Sequence, residues 1–159
     1  MDDVEEIKKL KARYFRSLDL KDWETYAGVF AEDCVVDLSR AGGPQYRGRK
    51  DFAAYASSLT MVQSVHHGHM PEIDLTGPDT ATGVWVLEDY NIWEDGSQNH
   101  GWGHYLETYV KRDNRWYIKT MALSYLRIES NCPQPSLIAG KDNTGHLRGL
   151  RPAADNPVG

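Results

Sequence analysis

The feature that most constrains this chain is a change, part-way along it, in the period at which apolar residues recur. Val4, Ile7, Leu10, Tyr14, Phe15 and Leu18 follow one another at spacings of three and four, which puts them on one face of a helix. Asp2 and Asp3 precede them, where a side-chain oxygen caps a helix and negative charge suits its positive end. Lys21 and Asp22 interrupt the pattern, and Trp23, Tyr26, Ala27 and Phe30 resume it in a short second helix. Residues 34–38 read as a strand, Gly42, Gly43 and Pro44 as a loop, and 50–59 as a third helix. From about Val65 the texture becomes β-branched and aromatic, broken by turns, with strands predicted over 71–75, 80–93, 103–112 and 115–128. Glu94-Asp95-Gly96 marks one turn. Asp113-Asn114 marks another, short enough to make the last two strands an antiparallel hairpin.

Helices first and a meander afterwards predict an α+β fold, with the helices packed on one face of a strongly curved, mixed but mostly antiparallel sheet. The 159 residues fit one domain, expected over 1–130. The segment 131–159 is rich in Pro, Gly, Asn and Asp, with Leu137, Ile138, Leu147 and Leu150 as aliphatic anchors. It reads either as a loosely ordered terminus or as a tail that covers a pocket or clasps a neighbouring subunit.

Charge narrows the choice of partners. The net charge is −5 and the 18 Lys and Arg are scattered, so no basic stripe is available to neutralise phosphates, and nucleic acid is not expected as a partner. No signal-peptide pattern and no apolar run of about 18 residues is present, so no membrane is expected and the cytoplasm is the expected location. Cys34 and Cys132 form no metal or redox motif and read as free thiols.

Several polar residues stand where apolar ones would serve a core better. Tyr14 and Asp19 are five residues apart, displaced by about 140° and about 7.5 Å along a helix. Both can approach one cavity if the helix lies across its mouth; alternatively, Asp19 only shapes the turn into Lys21-Asp22. Three histidines, His66, His67 and His69, fall within four positions. Such a cluster suits a metal, but on a strand adjacent His66 and His67 point to opposite faces. A single histidine facing a cavity beside a carboxylate is instead suited to be a general base.

Alternation over 84–90 places Trp85, Leu87 and Asp89 on one face and Glu88 and Tyr90 on the other. An inward Asp89 requires a donor such as His66, Tyr14 or Arg127, and otherwise Asp89 is an exposed acid. In the last strand Met121, Leu123, Tyr125 and Arg127 share a parity that a bulge would shift. Arg127 is either an exposed strand-end cation or an inward anchor for an acidic group.

The run from Ile7 to Asp19, the segment from His66 to Ile73 and the strand from Ala81 to Asp89, in that order, resemble the SnoaL-like family of the NTF2-like superfamily. The likeness is strongest to its bile acid 7α-dehydratases, and more distant to scytalone dehydratase and hexachlorocyclohexane dehydrochlorinase. It covers about residues 4–128. The resemblance implies a cone-shaped α+β barrel of the NTF2-like, cystatin-like kind, open at one end, with no metal or organic cofactor. It also implies a homo-oligomer, a trimer as in these relatives, with the dimer of other superfamily members as the alternative.

Carried over by position, the family's active-site residues fall on Tyr14, Asp19, His66, Asp89 and Arg127. Trp85, Leu87, His69 and Tyr125 are the expected substrate contacts. The expectation is a lyase that removes water, or another leaving group, from a mostly apolar polycyclic, steroid-like or aromatic small molecule. His66 would be the base, Asp19 its orienting acid and Tyr14 a hydrogen-bond donor. A double-bond isomerase, a polyketide cyclase and a ligand-binding or accessory-subunit domain are the alternatives.

Overall fold

The computed structural model describes residues 2–131, and the predicted tail therefore lies, apart from Asn131, outside the described residues. Helix α1 spans Asp3–Leu20, and Asp2 caps it by accepting the Val4 N–H at 3.0 Å. Its chain reverses at Lys21, which adopts a left-handed φ of 58°, and Asp22 then caps the short helix α2, Trp23–Gly28, through the Thr25 N–H. Strand β1 follows over Phe30–Asp37, then a helical turn, Ser39–Ala41, strand β2, Gln45–Arg47, and helix α3, Arg49–Ser58. Phe30 thus opens a strand rather than extending α2, because the apolar pattern of the two elements is continuous across Gly28.

Four long strands complete the sheet: β3, Met61–Gly77; β4, Thr80–Trp93; β5, Gln98–Arg112; and β6, Arg115–Ser130. The strand order is β2-β1-β6-β5-β4-β3, antiparallel throughout except for the parallel pairing of β1 with β6. The Asp113-Asn114 turn has φ of 50° and 59°, the positive values that a two-residue hairpin turn requires. Sequence patterning placed the start of β3 too late because Gly68 and Pro71 lie inside the strand. There the ladder shifts register between His69 and Glu72.

The sheet curls around α1. Ile7, Leu10, Tyr14 and Leu18 on the helix meet Leu87, Trp85, Tyr105, Tyr109 and Met121 in one core. Asp3 fixes the near end of the helix by accepting from Lys111 Nζ and Trp116 Nε1, each at 2.8 Å. At the far end, Gly68 lets Phe15 lie against β3, since a Cβ there would stand 2.6 Å from the phenyl ring. No helix among the described residues is long and apolar enough to cross a membrane. Cys34 is buried, and burial pushes its thiol up to about 11, which leaves it unreactive.

Candidate active site

The last turn of α1 brings Asp19 against the inner face of β3. Asp19 Oδ1 lies 2.6 Å from His66 Nδ1, and Oδ2 accepts the His66 backbone N–H at 2.9 Å. Ser64, two residues earlier on the same face, donates to Oδ1 at 2.8 Å and in turn accepts from Lys21 Nζ at 2.8 Å. The His66 side chain is only 8% exposed. Burial raises the Asp19 carboxyl, but hydrogen bonds from His66 and Ser64 outweigh it and hold Asp19 below the usual range. An ionised carboxylate on Nδ1 fixes the tautomer and leaves Nε2 as the nitrogen that takes a proton. The turn into α2 is shaped by Lys21 and Asp22, so Asp19 is free for this role.

Directly across the β3–β4 ladder from His66 stands Asp89, 3% exposed. Its Oδ2 accepts from the Tyr125 hydroxyl, while its buried Oδ1 has no partner among the described residues. Burial raises the Asp89 carboxyl above its ordinary range, against the lowering effect of Tyr125 and of the nearby His66. The His66 imidazole thus stands between two carboxyls whose surroundings push them in opposite directions, Asp19 down and Asp89 up. Carboxyls set apart in this way are suited to different roles in one site.

Tyr14 is buried, and its hydroxyl is shared with Tyr26 and Tyr105; burial holds all three phenols well above their ordinary value. The Tyr105 ring packs edge-on against that of Tyr14, with centroids 5.8 Å apart. Trp85 and Leu87 lie on the same inner face of β4 as Asp89, both buried. The Trp85 indole donates to the Tyr109 hydroxyl at 2.8 Å.

Two expected contacts are not formed. Arg127 neither holds Asp89 nor faces inward: it is 69% exposed, ion-paired with Glu129, its guanidinium 5.7 Å from the Trp102 ring. The cause is a bulge. Trp102 pairs with Arg127 and Gly103 with Tyr125, so Leu126 is an extra residue that turns Arg127 outward while Tyr125 keeps the inner face. His69 is likewise outside, half exposed, because it shares the parity of His67 and not of His66. Beside them on the outer face lies Glu88, and these three are the described residues placed to hold a metal ion.

The sequence pattern overlooked a second buried charge pair. Lys11, fully buried, donates to Glu107 Oε1 at 2.5 Å, and Tyr109 donates to Glu107 Oε2 at 2.5 Å. The ammonium also sits 4.0 Å from the Tyr14 ring centroid and 3.6 Å from that of Tyr105. Burial lowers Lys11 to about 8, with Glu107 opposing the drop. The signal was present: Lys11 lies in phase with Ile7 and Tyr14, and Glu107 alternates between Tyr105 and Tyr109. A charge at a core position marks a paired one.

A sheet curled over a helix, with a histidine–carboxylate pair inside, defines the chain as an α+β domain of the NTF2-like, cystatin-like class. It belongs to the SnoaL-like domain family, which matches residues 1–122. A curated relative, the "Probable cyclase FGR4" of Gibberella zeae, is 20% identical over 76% of this chain and 89% of its own. A crystal structure from Novosphingobium aromaticivorans named for scytalone dehydratase superposes with a TM-score of 0.76. It covers 88% of this chain and 95% of that one at 21% identity. The hexachlorocyclohexane dehydrochlorinase LinA-type3 of Novosphingobium barchaimii superposes with a TM-score of 0.71, over 80% and 89% of the two chains at 13% identity.

Proposed function

We propose that this protein is a cofactor-independent lyase that removes water from a mostly apolar polycyclic, steroid-like or aromatic small molecule. The observation that carries the reading is the closed His66–Asp19 pair opposite a buried Asp89. His66 Nε2 takes a proton from the carbon next to a substrate carbonyl, and Asp19 stabilises the imidazolium that forms. The electron pair of that C–H bond passes into an enolate, whose oxygen is stabilised by donors from the Tyr14–Tyr105 hydroxyl chain. As the enolate collapses, the new C=C bond forms and the β C–O bond breaks. Asp89, whose carboxyl burial raises, gives a proton to the departing hydroxyl, and water leaves. Return of the proton from His66 to Asp89 resets both groups. Trp85, Leu87 and Tyr125 supply the apolar wall against which such a substrate packs.

The cyclase among the relatives favours a second reading, ring closure of a polyketide-like substrate, since an enolate formed by the same base can attack a second carbonyl instead of expelling a leaving group. The closed His66–Asp19 bond is what a purely ligand-binding domain has no need of. The test is a screen of β-hydroxy 3-oxo steroids and hydroxylated polycyclic ketones, read by mass for loss of water. His66→Ala is expected to lower turnover of a substrate so found by about 100-fold or more. Full turnover in both His66→Ala and Tyr14→Phe would overturn the mechanism.

A further inference from the structure

Outside the curled sheet, a second group of titratable side chains is gathered that the proposed reaction does not use. The alternation that turns His66 inward on β3 turns His67 and His69 outward, where they meet Glu88 of β4. One nitrogen of each imidazole and one Glu88 oxygen lie within 4.8 Å of one another. His69 Nε2 is 3.7 Å from Glu88 Oε2, and the two rings are 5.7 Å apart between centroids. The other oxygen of Glu88 is held from the far side, 2.8 Å from His100 Nε2 on β5. One carboxylate oxygen is thus anchored and its fellow is turned toward two histidines.

We infer that His67, His69 and Glu88 form a binding site for a divalent first-row transition ion, with zinc as the reference case. Two imidazoles and one carboxylate are a donor set that zinc, copper and nickel accept, while calcium and magnesium call for more oxygen ligands than this face provides. An ion with bonds of about 2.1 Å holds its ligand atoms roughly 3.4 Å apart, so the exposed rings need swing in by about an ångström. His69 is half exposed, and its rotation meets little resistance. His100 does not touch the ion; it positions Glu88, as partners behind ligating carboxylates do. The site ties β3, at the edge of the sheet, to its neighbour β4 on the side opposite His66. The inference does not rest on the proposed reaction.

The experiment is calorimetric titration of the tag-free, chelator-treated full chain with zinc chloride, alongside thermal melts with and without the metal. One zinc per chain is expected, with a dissociation constant tighter than about 100 μM. His67→Ala, His69→Ala and Glu88→Gln are each expected to weaken binding by about tenfold or more and to abolish the rise in melting temperature that zinc gives the parent protein; His100→Ala has a smaller effect. All four side chains lie on the outer face, so these variants leave the core intact. Absence of binding by the parent chain would overturn the inference. So would zinc binding, or stabilisation by zinc, that persists unchanged in His67→Ala and His69→Ala.

Discussion

Gly101 stands opposite Asp89 in the β4–β5 ladder, and a Cβ at that position would lie 2.6 Å from Asp89 Oδ1 and 2.5 Å from the Tyr125 ring. The absence of a side chain is therefore what lets the acid and its phenol partner occupy the inner face together. Gly101→Ala is expected to destabilise the domain by about 1–3 kcal/mol through overpacking and to displace Asp89 from Tyr125. Urea denaturation gives the first quantity, and loss of turnover at unchanged secondary structure shows the second.

Asp19→Asn tests whether the carboxylate orients the base. An amide offers Nδ1 a donor on one side and only one acceptor on the other, so the imidazole loses both its tautomer and its stabilised cation. With a confirmed substrate, kcat is expected to fall by about 100-fold to 10,000-fold while KM moves little. Equal losses in kcat and in KM-linked binding would assign Asp19 to substrate contact instead.

Asp89 makes a prediction in pH. Its carboxyl is raised in the folded protein, first by burial. The contribution that favours folding is then complete below the ordinary value of 3.8 and is lost as pH rises through the folded value. Asp89→Asn removes that titration. The variant is expected to melt above the parent protein at pH 7, with the gap closing as pH falls toward 3.8, and to turn over about 100-fold more slowly because an amide has no proton to give.

Lys11 and Glu107 form a pair whose halves depend on each other. Lys11→Met strands a buried carboxylate and is expected to cost about 3–5 kcal/mol of unfolding free energy. The double variant Lys11→Met, Glu107→Gln is expected to recover most of that loss, because the amide still accepts from Tyr109. A double-mutant cycle in urea measures the coupling.

The order of helices and strands, the inward faces of α1 and β4 and the two-residue hairpin turn were legible because each depends on local spacing. His66 and Asp19 were legible as candidates, and Asp89 as an inward acid in want of a donor. Arg127 was not, since its direction is set by one extra residue, Leu126, whose presence as a bulge depends on pairing with β5. Tyr125 was placed among the substrate contacts, but its part as the donor to Asp89 depends on the same bulge. Lys11 was passed over because a lysine beside Leu10 on a helix ordinarily faces solvent, and only its distant partner Glu107 makes burial tolerable. Glu88 could be placed on the outer face of β4, but its meeting with two histidines of β3 required the strand register.

The parallel pairing of β1 with β6 has a consequence for how the protein comes into being. Phe30 finds Ile118, and Val36 finds Met121, only after nearly all of the domain has been synthesised. During translation the first strand thus emerges with one neighbour, β2, and its other edge bare, and the ring of contacts around α1 closes last. Pairings so distant in sequence slow folding and leave strand edges open to other chains in the interval. The sheet is therefore complete only once the final hairpin has reached the first strand.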